Sequence, residues 1–398
     1  MAGAERTSAN LFIVPPFSDQ TVAESMSLAG AMSKPLVAPR AHYGFRPAVW
    51  HNAPIMTATT ASPVPSVNRQ FVLAAHPVGM PKESDFSLVE APIPALASGQ
   101  VLLRSMFLSV DPYMRGRMTG IRTYADPVNI GQVMVAGTVG KVVQSLNPQF
   151  QPGDVVSGYW GWQEFAVSEG KGLQKLDTKI APPSTALGVL GMPGMTAYFG
   201  FLEICQPKPG ETVVVSGAAG AVGSLVGQIA KIKGCHVVGI AGGNDKVAWM
   251  TKELGFDAAF NYKTTSDYGA KLKELCPKGI DCYFDNVGGA ITDAVFPLMN
   301  VYGRISICGQ ISQYNLEKPE PGPRLLAYIL VKQLKVEGFI VFRWQNRYQE
   351  GIAQMAQWLG EGKLKHREEI VDGFENTVKA FIGMLKGDNT GKMLVKVR

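Results

Sequence analysis

The chain has 398 residues, enough for two to three domains with a sizeable core. Apolar residues make up 46% and charged residues 18%, which excludes a disordered chain, and no uninterrupted apolar run approaches the roughly 18–20 residues that span a bilayer. The 38 basic and 32 acidic residues give a net charge of +6, spread along the chain with no Lys/Arg block, which favours attraction for anionic small molecules over a nucleic-acid or membrane partner.

In chain order, residues 1 to 65 stand apart. They are rich in Ala, Ser, Thr, Pro and Met and show no sustained period. Their low acid content and scattered Arg suit either a disordered tail or an organelle transit peptide for a mitochondrion or plastid; without such a signal the expected compartment is cytoplasmic. From Asn68 the pattern is β-rich, with Gln100–Arg104 and Val133–Val139 as short apolar runs between Gly/Pro turns. Tyr159-Trp160-Gly161-Trp162 continues that region, its aromatics serving core packing or the wall of a substrate pocket.

Near Leu187 the texture changes to strands alternating with helices. Strands are expected at Thr212–Ser216, His236–Ile240, Asp281–Asp285 and Gly303–Cys308. Helices are expected at Val222–Lys233, with Val222, Leu225, Val226, Ile229 and Ile232 on one face, and at Lys246–Leu254. That alternation means βαβ units and a parallel sheet. The fold class is therefore α/β: a doubly wound parallel sheet preceded by a β-rich domain.

The turn Gly217-Ala218-Ala219-Gly220-Ala221-Val222-Gly223 follows a strand and opens a helix. A tight turn, a backbone that must approach a pyrophosphate, and close helix–sheet packing each favour Gly or Ala. The helix N-terminus then offers free N–H groups to phosphates. The next strand runs into Ala241-Gly242-Gly243-Asn244, with no acid at its end to repel a 2′-phosphate, and Lys246 adds a positive charge. NADPH is therefore preferred over NADH, with Asp245 a dissenting acid. Catalytic zinc has no ligand set: the five cysteines, Cys205, Cys235, Cys276, Cys282 and Cys308, all lie beyond the first domain, and no two form a CxxC pair. They read as thiols in a reducing compartment. The five histidines accompany no nucleophile-elbow motif.

These residues resemble one branch of the medium-chain dehydrogenase/reductase superfamily, the zinc-free NADPH-dependent alkenal/enone double-bond reductases, which include the prostaglandin reductases. The resemblance runs from about Asn68 to Arg398. It includes Val110-Asp111-Pro112-Tyr113-Met114-Arg115, Gly191-Met192-Pro193-Gly194-Met195-Thr196-Ala197-Tyr198, Phe260-Asn261-Tyr262-Lys263, Tyr283-Phe284-Asp285-Asn286-Val287-Gly288-Gly289, Gly373-Phe374-Glu375-Asn376 and Gly391-Lys392-Met393. In place of the Gly-His-Glu of zinc-dependent members stands Gly131-Gln132-Val133.

The resemblance implies a GroES-like substrate domain over 66–188 completed by 368–398, a Rossmann NADP-binding domain over 189–367, and a homodimer. It implies that Gly220, Ala221, Val222 and Gly223 hold the pyrophosphate, that Lys246 and Tyr262 meet the 2′-phosphate end, and that Asn286 follows the fourth strand. The segment Cys308-Gly309-Gln310-Ile311-Ser312-Gln313-Tyr314, with Phe339, Ile340, Val341 and Asn389, is implied around the nicotinamide half. The implied reaction adds hydride to the β-carbon of an enone, with a Tyr or ribose hydroxyl facing the carbonyl oxygen. Tyr113 is one candidate and Arg115 a candidate for a substrate carboxylate. Where relatives carry a Tyr on the helix before the Gly-Phe strand this chain has Val331, so Tyr328, a turn earlier, is the remaining candidate there. Quinone reduction and a non-catalytic NADPH-binding role are the alternatives.

Overall fold

A computed structural model describes residues 65–397; the tail or transit-peptide reading of residues 1–65 falls, but for Pro65, outside them. The strands are β1 (Val67–Leu73), β2 (Phe86–Pro92), β3 (Val101–Ser109), β4 (Thr138–Ser145), β5 (Val155–Gly158), β6 (Phe165–Ser168), β7 (Gln174–Lys175), β8 (Thr212–Ser216), β9 (His236–Ala241), β10 (Ala258–Asn261), β11 (Ile280–Asp285), β12 (Met299–Ile307), β13 (Lys335–Gly338), β14 (Glu368–Asp372) and β15 (Lys392–Lys396). The helices are α1 (Tyr113–Arg117), α2 (Met192–Cys205), α3 (Gly223–Ile232), α4 (Asn244–Lys252), α5 (Tyr268–Leu275), α6 (Gly289–Val295), α7 (Leu326–Val331), α8 (Tyr348–Gly360) and α9 (Thr377–Lys386).

Six strands form a parallel sheet in the order β10-β9-β8-β11-β12-β13. The order reverses between β8 and β11, and at such a switch point the loops leaving the strand ends diverge and open a crevice. All five residues of β8 are buried, as a central strand covered on both faces requires. Helix α3 buries Leu225, Val226, Ile229 and Ala230 against it. Gly227 lets the helix close in, since a Cβ there would sit 1.9 Å from the Phe256 ring.

The other large sheet runs β14-β15-β3-β4-β5-β7, with β6 also on β3. Because β15 pairs antiparallel with β3, the last strands of the chain return to this β-rich layer. Its core holds Trp162 against Phe381, ring centres 5.6 Å apart.

Two readings of the β-rich half change. The run Val133–Val139 forms no continuous strand: Val133 makes a single bridge to Val72 and regular pairing starts only at Thr138. Residues 159–163 form no strand either: Gln163 makes only an isolated bridge to Gln70, and Gly161 adopts φ 82° and packs where a Cβ would lie 2.5 Å from the Met134 carbonyl oxygen. Trp162 is fully buried while Tyr159 is 63% exposed, so one aromatic cluster splits between core and cleft.

Candidate active site

One cleft of about 1060 Å³ crosses the switch point. The carboxyl end of β8 feeds Gly217, whose φ of 58° favours glycine, and Gly223 packs where a Cβ would meet the Gly217 oxygen at 2.4 Å. Gly220, Ala221, Val222 and Gly223 all line the cleft. The Ser224 and Leu225 N–H groups already donate to the Gly220 and Val222 carbonyls, which leaves those of Val222 and Gly223 without a backbone partner among the described residues.

One buried carboxylate shapes the neighbouring turn. Asp285 accepts hydrogen bonds from the Ser216 and Tyr283 hydroxyls at 2.9 Å, the Thr292 hydroxyl at 2.6 Å, and the N–H groups of Val287 and Gly288 at 2.9 Å. That cluster fixes 286–289. Asn286 is tied down in turn, its side-chain amide donating to the Ser216 carbonyl at 2.7 Å. The next loop hangs from the same turn, with Cys308 N–H on the Asp285 carbonyl at 2.8 Å and Ser312 N–H on that of Val287 at 3.1 Å. Cys308, Gly309, Ile311, Ser312, Gln313 and Tyr314 line the cleft, with Phe339, Ile340, Val341 and Asn389. Burial pushes the Cys308 thiol up to about 12.

At one end stand Lys246, Tyr262 and Lys263. Gly242 makes room for them, since a Cβ there would lie 2.8 Å from the Tyr262 ring and 3.0 Å from the Lys263 stem. Lys246 donates to the Gly387 carbonyl at 2.6 Å, and burial lowers its ammonium from the ordinary value. Lys263 was missed as a site residue, although it stands beside Tyr262 in sequence and adds a second cation.

At the other end stand Tyr113, Arg117, Tyr124, Tyr159 and Trp160. Desolvation, then the charge of Asp111, holds the Tyr113 phenol well above its usual value. Tyr159 stands in the open cleft yet has protein around its ring, and that surrounding pushes its phenol up to about 12, with Asp111 adding to the effect.

Three expected residues lie elsewhere. Arg115 is 5% exposed and points away from the cleft, donating to Asn315 Oδ1 at 2.9 Å and to the carbonyls of Pro77 at 3.2 Å and Gly79 at 3.0 Å. Burial lowers its guanidinium from the ordinary value. Its Nε and Nη2 tie loops together while its Nη1 is buried without a partner among the described residues, and Arg117, two residues on, is the arginine in the cleft. Tyr328 is absent from the cleft wall and 36% exposed on α7, which lies beside the edge strand β13. Gln310 turns outward, its stem against Gly288.

Comparison with known proteins places this geometry. The model described as the N-terminal domain of oxidoreductase matches residues 69–176, and that described as zinc-binding dehydrogenase matches residues 221–357. The NADPH-dependent curcumin reductase of Escherichia coli (strain K12) is 49% identical over 335 residues, covering 83% of this chain and 97% of that protein. The chain belongs to the medium-chain dehydrogenase/reductases, in their alkenal/enone reductase branch. Prostaglandin reductase 1 of Rattus norvegicus is 48% identical over 332 residues, 82% of this chain and 98% of that protein. The crystal structure of CurA in complex with NADPH from Vibrio vulnificus superposes with a TM-score of 0.80 at 49% identity, covering 83% of this chain and 99% of that one.

The family model's name implies zinc, and the residues do not fit one. Among the described residues no three His, Cys, Asp or Glu side chains gather to hold a metal ion. His76 Nδ1 lies 2.8 Å from the Met118 carbonyl oxygen, and the cysteines all sit from α2 onward. No step below is routed through zinc.

Proposed function

We propose that this chain reduces the C=C bond of α,β-unsaturated aldehydes and ketones with NADPH, independently of zinc. The observation that carries it is the continuity of the cleft, which joins a phosphate-binding turn flanked by two lysines to a wall that carries Tyr113, Tyr124 and Tyr159. The turn 220–223 would bind the pyrophosphate, Lys246, Tyr262 and Lys263 the 2′-phosphate end, and the 308–314 loop with Phe339–Val341 and Asn389 the nicotinamide half. Bound there, NADPH supplies hydride to the substrate's β-carbon.

The chain's own residues do the rest. Negative charge then gathers on the carbonyl oxygen, and a preorganised donor there stabilises it more than it stabilises the neutral enone. Tyr113 supports that role: it is half-buried on the cleft wall, and its raised phenol keeps its proton throughout. Phe339 rests on α2, where Gly200 leaves its ring room (a Cβ would lie 2.2 Å away), and Trp160 and Val341 narrow the cleft and displace water.

We further propose a homodimer joined through the β13 edge and α7, where Leu326, Leu330 and Val331 are 77%, 78% and 73% exposed. Small-molecule enones are the partners in this reading, with nucleic acid and membrane excluded and the cytoplasm as its setting. Side-by-side assays of NADPH oxidation with a 2-alkenal and with a quinone test it. Faster turnover of the alkenal is expected. Preference for the quinone, or NADPH binding without turnover, would overturn it.

A further inference from the structure

Beside the cleft lies a second chamber of about 290 Å³, its wall more apolar than polar. Ser109, Ser157 and Tyr348 are among the residues that line it. The two cavities share Asp111, Tyr113, Tyr159, Met192 and Pro193, so these residues form the partition between them, and the two tyrosines carry its phenols. Asp111 is immobile: the buried Lys392 ammonium lies 3.2 Å from it and the Ser109 hydroxyl donates to it. Tyr159 is otherwise. Among the described residues its hydroxyl has no hydrogen-bond partner, and the residue is 63% exposed.

The chamber also holds an unexplained group. The Tyr348 hydroxyl is fully buried and has no partner among the described residues. A buried hydroxyl left unpaired is costly, and the chamber beside it, with the volume of about ten waters at roughly 30 Å³ each, has room for a water chain. Water on one side of the partition and substrate on the other is the arrangement a proton route needs.

We propose that Tyr159 is the proton donor to the substrate's α-carbon and that the second chamber re-protonates it. The inference rests on the enone-reductase reading above. Hydride brings two electrons to the β-carbon, the C=C pair shifts toward the carbonyl, and an enolate results. The Tyr159 O–H bond then breaks as the new Cα–H bond forms and the C=O bond is restored. The tyrosinate takes a proton from chamber water, and bulk solvent restores that water. One hydride and one proton are added, and NADPH leaves as NADP⁺. The carbonyl oxygen and the α-carbon are separate atoms and need separate donors. Tyr113, half-buried beside Asp111, keeps its proton and serves the oxygen. Tyr159, 63% exposed and bordering both cavities, yields its proton to a carbon that is far more basic in the enolate.

The test uses the full-length enzyme, NADPH and an acyclic α-methyl enone, whose reduction creates a stereocentre at the α-carbon. Product is analysed at early times by chiral chromatography, in H₂O and D₂O. Wild type is expected to give one enantiomer in excess. Tyr159→Phe should give near-racemic product with kcat lowered roughly 10²-fold, the low end for loss of a general acid. Tyr113→Phe should lose kcat/KM while keeping the enantiomeric excess. Ser157→Leu, which fills the chamber and leaves both phenols in place, should raise the solvent isotope effect on kcat without changing the Kd for NADPH. Unchanged enantiomeric excess in Tyr159→Phe, or an unchanged isotope effect in Ser157→Leu, would overturn the proposal while leaving the enone-reductase reading intact. Absence of wild-type turnover would overturn both.

Discussion

The preference for NADPH should reside in two lysines. Lys246→Ala removes an ammonium that stands in the cleft beside Tyr262 and Lys263 and rests on the Gly387 carbonyl at 2.6 Å. A hydrogen bond to a charged group is worth about 1.5–3 kcal/mol net. The low end applies, because Lys246 must give up the Gly387 carbonyl to reach a phosphate and Lys263 remains to share the charge. About 1.4 kcal/mol corresponds to a tenfold change in affinity, so Lys246→Ala should raise the Kd for NADPH roughly tenfold and leave that for NADH unchanged. The double variant with Lys263→Ala should lose more, and its NADPH affinity should depend less on salt, since screened charges have been removed. Tryptophan fluorescence titration with both nucleotides at two ionic strengths measures this. An equal loss of NADH and NADPH affinity in Lys246→Ala would refute the reasoning, because the lysine would then be supporting the loop rather than reading the phosphate.

Other expectations follow from the same geometry. The Tyr159 phenol lies at about 12 and that of Tyr113 well above its ordinary value. Groups raised in this way stay protonated below their own values, so kcat/KM for a 2-alkenal should show no tyrosine-linked decline near pH 10, the ordinary phenol value; a loss with a midpoint there would contradict it. Gly227→Ala places a methyl 1.9 Å from the Phe256 ring, and overpacking at such a site should cost about 1–3 kcal/mol, read as a lowered Tm with the Kd for NADPH little changed. Leu330→Glu alters a side chain that is 78% exposed in the single chain. It should therefore shift the species in light scattering from dimer to monomer while leaving far-UV circular dichroism unchanged.

The nucleotide-binding half was largely legible in the sequence because its signals are local. The strands expected at Thr212–Ser216 and Asp281–Asp285 differ from the observed bounds by at most one residue, and a buried parallel strand announces itself as an apolar run between a turn and a helix. Gly217 to Gly223 stand out because the shape of that turn rests on close backbone packing at Gly217 and Gly223. The β-rich half was harder. Arg115 and Arg117 lie two apart on a five-residue helix, too short for any period to say which side faces a cleft. The answer comes from Pro77, Gly79 and Asn315, distant carbonyls and an amide that claim Arg115. Tyr159 and Trp162 likewise separate only through Gly161, whose positive φ turns the chain between them.

The proposed function stands on hydride delivery to the β-carbon of an enone. Reduction of a 2-alkenal with NADPH carrying deuterium at its transferable position, followed by NMR of the product, locates that hydride. One deuterium on the β-carbon with the aldehyde retained is expected. Deuterium on the carbonyl carbon, giving an unsaturated alcohol, would contradict it.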